Sequence, residues 1–210
     1  MKMIVGNVYE PLRARILPCS AGAVAGRGCG ELVWRMVLTI WQAHVLQTQV
    51  YMLWVDLSKC FMTFSRAVGQ HTQARRGVPT QVRKAVWNLY SRPRGSFDSA
   101  YGCCPDFGIL RGYLQGTLEA PDLCIGDMNV LCEIMDLKVV GSRWWSGDVH
   151  GAHTVQTVFV DDGCAVNGSP DMQSRAAFVW SLWAFIYGTD INVKDDASKT
   201  RCAACGTYRL

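Results

Sequence analysis

Two apolar runs that each end in acid constrain this chain more than any other feature. Thr154-Val155-Gln156-Thr157-Val158-Phe159-Val160 is rich in β-branched residues and runs into Asp161-Asp162, and Gly163-Cys164-Ala165-Val166 leads away. This pattern predicts a strand, a tight turn and a second strand, with both carboxylates at the hairpin tip. Placing two like charges at the end of buried strands costs free energy unless a cation binds them, and hard divalent cations prefer oxygen ligands. Adjacent acids also occur in ordinary solvated turns, so the pair alone does not establish a site. The second run adds weight. Val50-Tyr51-Met52-Leu53-Trp54-Val55 is continuously apolar and ends in Asp56. It predicts a buried strand delivering one carboxylate at its C-terminal end, where α/β sheets place ligands. Two such strands predict one shared metal site.

The chain has 210 residues, half of them apolar, enough for a real core and against disorder. The net charge of +4 is unevenly spread. Residues 1–111 carry 14 Lys+Arg and 5 Asp+Glu; residues 112–210 carry 7 and 12. A basic half beside an acidic half suits a protein that holds a polyanion on one side and metal on the other. Ten cysteines without a secretory h-region predict a reduced, intracellular protein, in cytoplasm or nucleus. Cys202-Ala203-Ala204-Cys205 has zinc-like spacing but no second pair, which favours a structural role. Ala176 to Tyr187, interrupted by Ser181, is too short to span a bilayer, so no membrane is expected.

Along the chain, residues 1–18 predict a short amphipathic helix stopped by Pro18. A glycine-rich loop, Ala21 to Cys29, precedes a helical pattern from Leu32 to Val45. It lacks the Lys-Ser/Thr ending of a P-loop. Phe61 to Val68 reads as helix ending near Gly69, and Arg75-Arg76-Gly77 as a basic turn. Pro79 opens a helix in which Arg83 and Lys84 lie beside Trp87 and Tyr90. That combination is either a backbone-tracking surface or a helix with aromatics inward and charges in water. Phe97 to Leu110 predicts a hairpin punctuated by Pro105-Asp106. Cys124, Met128, Leu131 and Met135 mark one apolar helical stripe, and Gly141 to Gly151 a loop. Ser169-Pro170 starts a helix closed by Gly188, with Trp180 and Trp183 inward. Short strands follow at Asp190–Val193 and Arg201–Ala204.

With these residues in place, Asp56-Leu57-Ser58-Lys59-Cys60-Phe61 resembles the first palm motif of reverse transcriptases of the non-LTR retrotransposon and group II intron type. Phe159-Val160-Asp161-Asp162 resembles their aromatic-x-Asp-Asp motif. Between them, Gly108 to Pro121, with Arg111-Gly112 and Gln115-Gly116, resembles the middle motif. The order is the family's order, and the resemblance spans roughly residues 20 to 205. It implies an α+β fold: a right-hand polymerase palm, a ferredoxin-like split β-α-β sheet with helices on one face. A partial, mostly helical fingers region would occupy 1–49, with the palm over 50–205 and fingers elements inserted around 70–100. Residues 206–210 would be a truncated end, with no complete thumb.

The resemblance implies template-directed nucleotidyl transfer with two Mg²⁺ ions, Mn²⁺ being an alternative, held by Asp56 and Asp161 with Asp162 assisting. Its partners would be an RNA template, a DNA primer and deoxynucleoside triphosphates. Phe61 would sit under the incoming sugar and reject a 2′-hydroxyl. Arg111, Gln115, Gly116 and Lys199 would contact nucleotide or template, with Lys194 competing for the last role. Arg27, Arg83 and Lys84 are candidate nucleic-acid contacts; an arginine in a loop such as Arg27 is also commonly just solvated. Where the family usually has Ala-Phe-Asp, this chain has Cys60-Phe61-Met62, and the upstream fingers motif that supplies a triphosphate-binding arginine finds no match. Two other readings stand beside this one: an inactive nucleic-acid-binding relic of the same fold, and a metal-dependent phosphohydrolase, which leaves Arg111-Gly112 and Gln115-Gly116 unexplained.

Overall fold

The computed structural model describes residues 2–22, 24–139, 142–143, 153–154, 156–193 and 200–205. Lys199, and most of the loop read at Gly141–Gly151, lie outside them. The chain begins with α1 (Lys2–Ile4), a π-helical turn (Val5–Tyr9) and α2 (Glu10–Arg13), then α3 (Cys29–Val45) and β1 (Val50–Ser58). Helices α4 (Cys60–Thr63), α5 (Arg66–Arg75) and α6 (Thr80–Tyr90) precede a ribbon of β2 (Arg94–Ser99) and β3 (Gly102–Gly108). After α7 (Ala120–Lys138) come β4 (Ser142–Arg143), β5 (His153–Thr154), β6 (Gln156–Phe159) and β7 (Asp162–Asn167). The chain closes with α8 (Pro170–Tyr187), β8 (Asp190–Ile191) and β9 (Arg201–Cys205).

The main sheet is antiparallel, in the order β6-β7-β1-β8, with β9 also on β1. Strand β1 is its centre. Its odd positions Leu53, Val55 and Leu57 enter the main core with Leu123, Met128, Leu131 and Met135 of α7 and Trp180 and Trp183 of α8. Its even positions Val50 and Met52 enter a second cluster with Met36 and Ala43 of α3. Alternate strand residues face opposite sides, so a strand covered on both faces must be apolar throughout. Helices therefore lie on both faces of this sheet, not on one as the palm resemblance implies: α3 covers the face opposite α7 and α8. Tyr9, fully buried, and Trp87 and Tyr90 share the main core, so the segments 1–49 and 50–205 are packed around the same interior. The inward reading of the α6 aromatics holds.

Two local expectations change. Gly69 does not end a helix but lies inside α5. A Cβ there would sit 2.2 Å from the Tyr113 hydroxyl, so the glycine makes room for a tyrosine from another segment. Pro105-Asp106 is not the turn of the ribbon. The strands pair Ser99 with Gly102, and Pro105 and Asp106 fall where the register shifts between Gly95 and Phe97. A β-bulge on an exposed edge accommodates a proline that cannot donate to the ladder.

Polar contacts tie distant segments into this frame. Arg13 donates two hydrogen bonds to the fully buried Asp122 on α7, at 2.6 and 2.8 Å. Arg66 donates to the carbonyls of Tyr90 (2.9 Å), Gly112 (2.8 Å) and Arg111 (3.2 Å), with its guanidinium 5.4 Å from the Tyr90 ring centre. Gly112, at φ +80°, donates its N–H to the carbonyl of Phe64, and Tyr113 donates to that of Phe61. A Cβ at Gly112 would fall 2.3 Å from the Met62 carbonyl oxygen. The 110–117 loop is thereby docked backbone to backbone on the α4 segment.

Gly112→Ala meets both a left-handed φ and a backbone clash that no rotamer relieves. It should destabilise by about 2–4 kcal/mol, a fall in melting temperature on the order of 10 °C, measurable by circular dichroism. Asp127 on α7 is fully buried and accepts from the Tyr113 hydroxyl. Burial raises its carboxyl to about 7, against smaller lowering by Tyr113, Thr72 and Arg76. The native state thus holds a proton that the unfolded chain gives up near pH 4, so this group's stabilisation is complete below pH 4 and lost as pH rises to 7. Asp127→Asn should melt higher than wild type at pH 7.5, with the difference shrinking towards pH 4.

Candidate active site

The carboxylates are brought together by strand register. Asp56 near the end of β1 stands directly opposite Asp162, the first residue of β7. Directly opposed residues have Cβ atoms about 4.5–5.5 Å apart, on the same face. That face is the one carrying Met52 and Val166, the α3 side, beyond the reach of the second core cluster. Asp161 is next in the chain, half-buried, and its carbonyl accepts from the Leu57 N–H at 3.4 Å. Phe159 pairs with Asp162, so the hairpin loop is the two residues Val160-Asp161, and Asp162 belongs to the strand rather than the tip.

Val160 sits at φ +59°. A β-branched residue in the left-handed region costs about 1–3 kcal/mol and persists only when its surroundings enforce it. Two neighbours do so here. Residues 19–21 run beside β6: Val158 N–H donates to the Cys19 carbonyl (2.8 Å) and Ala21 N–H to the Val158 carbonyl (3.0 Å). Gly22 then lies against the turn, where a Cβ would be 2.6 Å from the Val160 nitrogen. From the other side Trp180 packs under Gly163, where a Cβ would meet its ring at 2.4 Å. The glycine-rich loop is thus a brace for the acidic hairpin.

Asp56 is almost buried, 8% exposed. It lies where β9 has stopped pairing with β1 and β8 has not begun. Its N–H donates to Thr200 Oγ1 (3.2 Å), its carbonyl accepts from Asn192 N–H (2.9 Å), and its Oδ2 accepts from Asn192 Nδ2 (3.0 Å). Asn192 and Thr200 were not singled out from the sequence. Their signal is only a polar residue at the end of each short strand, 136 and 144 residues away. Cys60 and Cys124 place their sulfurs 3.8 Å apart beneath the site. The hydrogen bond from Cys60 and burial push the Cys124 thiol well up.

Phe61, on α4, is half-buried against the core. Arg111, Gln115 and Gly116 are exposed on the loop docked to the Phe61–Phe64 segment, with open space around Gly116. The remaining candidates are placed otherwise. Arg27 is half-buried, and its guanidinium donates to the carbonyls of Leu17 (2.8 Å), Ser20 (2.9 Å) and Ile16 (3.0 Å). It clamps the segment that braces the hairpin, which leaves little of its donor capacity for an outside ligand. Arg83 donates to Val78 and Thr80 at the start of α6, and Lys84 is exposed. Cys202 and Cys205 are three residues apart on β9 and face opposite sides.

Among the described residues no three His, Cys, Asp or Glu side chains already converge as a metal-ligand group. The donor set nonetheless suits Mg²⁺, which takes one or two protein carboxylates and completes its octahedron with water and substrate phosphates. Two aspartates in register on one face form such a set.

No protein-family model matches the chain, and no curated protein matches it in sequence. Its fold does have solved counterparts. A structure of telomerase from Candida albicans, in complex with a fragment of telomeric RNA, superposes with a TM-score of 0.69 at 10% identity, over 97% of this chain and 34% of that one. Apo telomerase from Candida tropicalis, truncated from its C-terminal domain, gives 0.69 at 12% identity over 100% and 41%. Telomerase from Candida tropicalis with a telomeric RNA fragment gives 0.68 at 12% over 97% and 34%. The chain therefore spans about a third to two fifths of these neighbours and shares the fold of that part of telomerase.

Proposed function

We propose that this chain is the fingers and palm of an RNA-directed DNA polymerase of the non-LTR retrotransposon or group II intron type. The observation that carries the reading is the register that sets Asp56 opposite Asp162, with Asp161 beside them. Like charges directly across a ladder are destabilising, and a divalent cation turns that liability into a binding site. The fold shared with telomerase, a reverse-transcriptase-related enzyme, supports the reading independently. RNA template, DNA primer and deoxynucleoside triphosphates are the partners it requires.

Asp56 and Asp161 would hold Mg²⁺, or Mn²⁺, with Asp162 assisting. The bound ions supply charge neutralisation for the triphosphate and a lowered pKa for the primer 3′-hydroxyl. Asn192 fixes the Asp56 carboxylate by donating to its Oδ2. Phe61, on the turn that follows β1, would offer a flat apolar wall to the sugar. Gln115 presents an amide, and Gly116, with no side chain and open space, lets substrate approach its backbone. Arg111 would supply a cation from the same loop. Lys199 is proposed to reach the triphosphate. An inactive relic would keep RNA binding without incorporation, and a phosphohydrolase would release phosphate without needing a template.

Primer extension on an RNA template with Mg²⁺ tests the reading. Asp56→Asn and Asp161→Asn should each lower incorporation by at least about a thousandfold, with melting temperature nearly unchanged. Incorporation that survives both substitutions would sink the polymerase assignment. Phe61→Ala should leave deoxynucleotide incorporation measurable and raise the ribonucleotide-to-deoxynucleotide ratio by about tenfold or more, read from single-nucleotide extension with each substrate.

A further inference from the structure

The β2–β3 ribbon projects away from every core, although a two-stranded ribbon alone is only marginally stable in water. Each of its strand residues is exposed except half-buried Gly95. Phe97 is 64% and Phe107 51% exposed. They share a face, because Phe97 pairs with Cys104 and Gly95 with Phe107, and alternate residues share a side. The Phe107 ring lies over Gly95, where a Cβ would be 2.9 Å from it. The two aromatic positions are two residues apart along the ribbon, about 7 Å.

Charge on the ribbon is sorted by face. The aromatic face carries Gly95, Phe97, Ser99, Gly102, Cys104 and Phe107 and no carboxylate. Asp98 lies on the other side, paired with Cys103, and Asp106 is there 3.8 Å from Arg94. Arg92 and Arg111 are exposed at the base, with no ion-pair partner among the described residues. Residues 66–111 as a whole hold eight Lys+Arg and two Asp+Glu. The base of the ribbon is closed by the Ile109 N–H donating to the Pro93 carbonyl (2.9 Å), and the chain runs from there into the loop of Arg111 and Gln115.

From these observations, and resting on the polymerase reading above, we infer that the aromatic face of the ribbon is a stacking platform for an unpaired stretch of the RNA template. Exposed rings on a face free of carboxylates, with cations at the base of the ribbon, are what single-stranded nucleic acid requires: the rings take base faces without regard to sequence, and the arginines take phosphates where the strand leaves the ribbon. A stable protein interface needs about 800 Å² from each partner. A face two strands wide, with about 5 Å between strands, offers far less.

The test compares binding of a fluorescent 12-nucleotide single-stranded RNA and its pre-formed duplex, by anisotropy over a salt series. The double variant Phe97→Ala/Phe107→Ala should bind single-stranded RNA at least tenfold more weakly. Its salt slope and duplex affinity should be unchanged, and its melting temperature should stay within 2–3 °C of wild type, as expected for exposed side chains (about 0.5 kcal/mol or less each). Phe97→Tyr/Phe107→Tyr, which keeps both rings, should restore affinity. Arg92→Ala should lower the salt slope by about one. Equal affinity of the alanine variant and wild type overturns the platform, as does a wild-type dimer that the same variant makes monomeric in sedimentation. Failure of the wild type to bind any RNA overturns the template reading and the platform with it; wild-type primer extension alongside an unaffected alanine variant overturns the platform alone.

Discussion

The acidic end of this molecule depends on the pairing of β1 with β7. Six consecutive residue pairs, from Tyr51 with Asn167 to Asp56 with Asp162, set which face the carboxylates occupy. A slip of one residue would send Asp56 into the layer of Trp180 and Leu123 and bring Val55 out. Both faces of β1 oppose that slip, since Leu53, Val55 and Leu57 are held by α7 and α8 while Val50 and Met52 are held with α3. Burial of a continuously apolar strand on two sides is thus what allows a nearly buried aspartate to be delivered to one defined place.

The turn that completes the site is held by residues that contribute bulk only by lacking it. Gly22 admits the Val160 backbone, Gly163 admits the Trp180 ring, and Gly112 admits the Met62 carbonyl. Each contact joins segments far apart in the chain, and each sits beside the hairpin or the loop facing it. Strain at Val160 is sustained because the backbone is fixed from both sides: residues 19–22 bond along β6, and α8 fills the space under β7. Arg27, three carbonyls deep in the same segment, extends this support by one layer. The glycine-rich loop is here a spacer and a clamp.

Period and punctuation made much of the fold legible in the sequence. The apolar run of β1, the hairpin around Asp161-Asp162, the stripe of α7 and the Ser169 and Gly188 ends of α8 are all local patterns, written within a few residues of where they act. What escaped is non-local. Asn192 and Thr200 reach Asp56 across more than 130 residues, and Asp122 and Asp127 are acidic residues on a helix read as a simple apolar stripe, buried because Arg13 and Tyr113 arrive from elsewhere. Gly69 looked like a helix stop because a glycine's cost is local, whereas its benefit, room for Tyr113, is tertiary. The second helical layer on the sheet escaped for the same reason: the even positions of β1 say that they are covered, not by what.

Of the two departures from the polymerase pattern beside the first acidic motif, Cys60 and Met62, the one that loses an acid, Met62, falls where packing makes little demand on a side chain. Met62 is 58% exposed, while its main chain forms the floor under Gly112. Phe61 and Phe64, on either side, each accept a hydrogen bond from the 112–113 backbone. The fold therefore reads the backbone of this segment and leaves the side chain at 62 to solvent, so an aspartate could be exchanged for methionine there without moving Asp56, Phe61 or the loop that faces them. On the polymerase reading, the three remaining aspartates then carry the whole demand for cations.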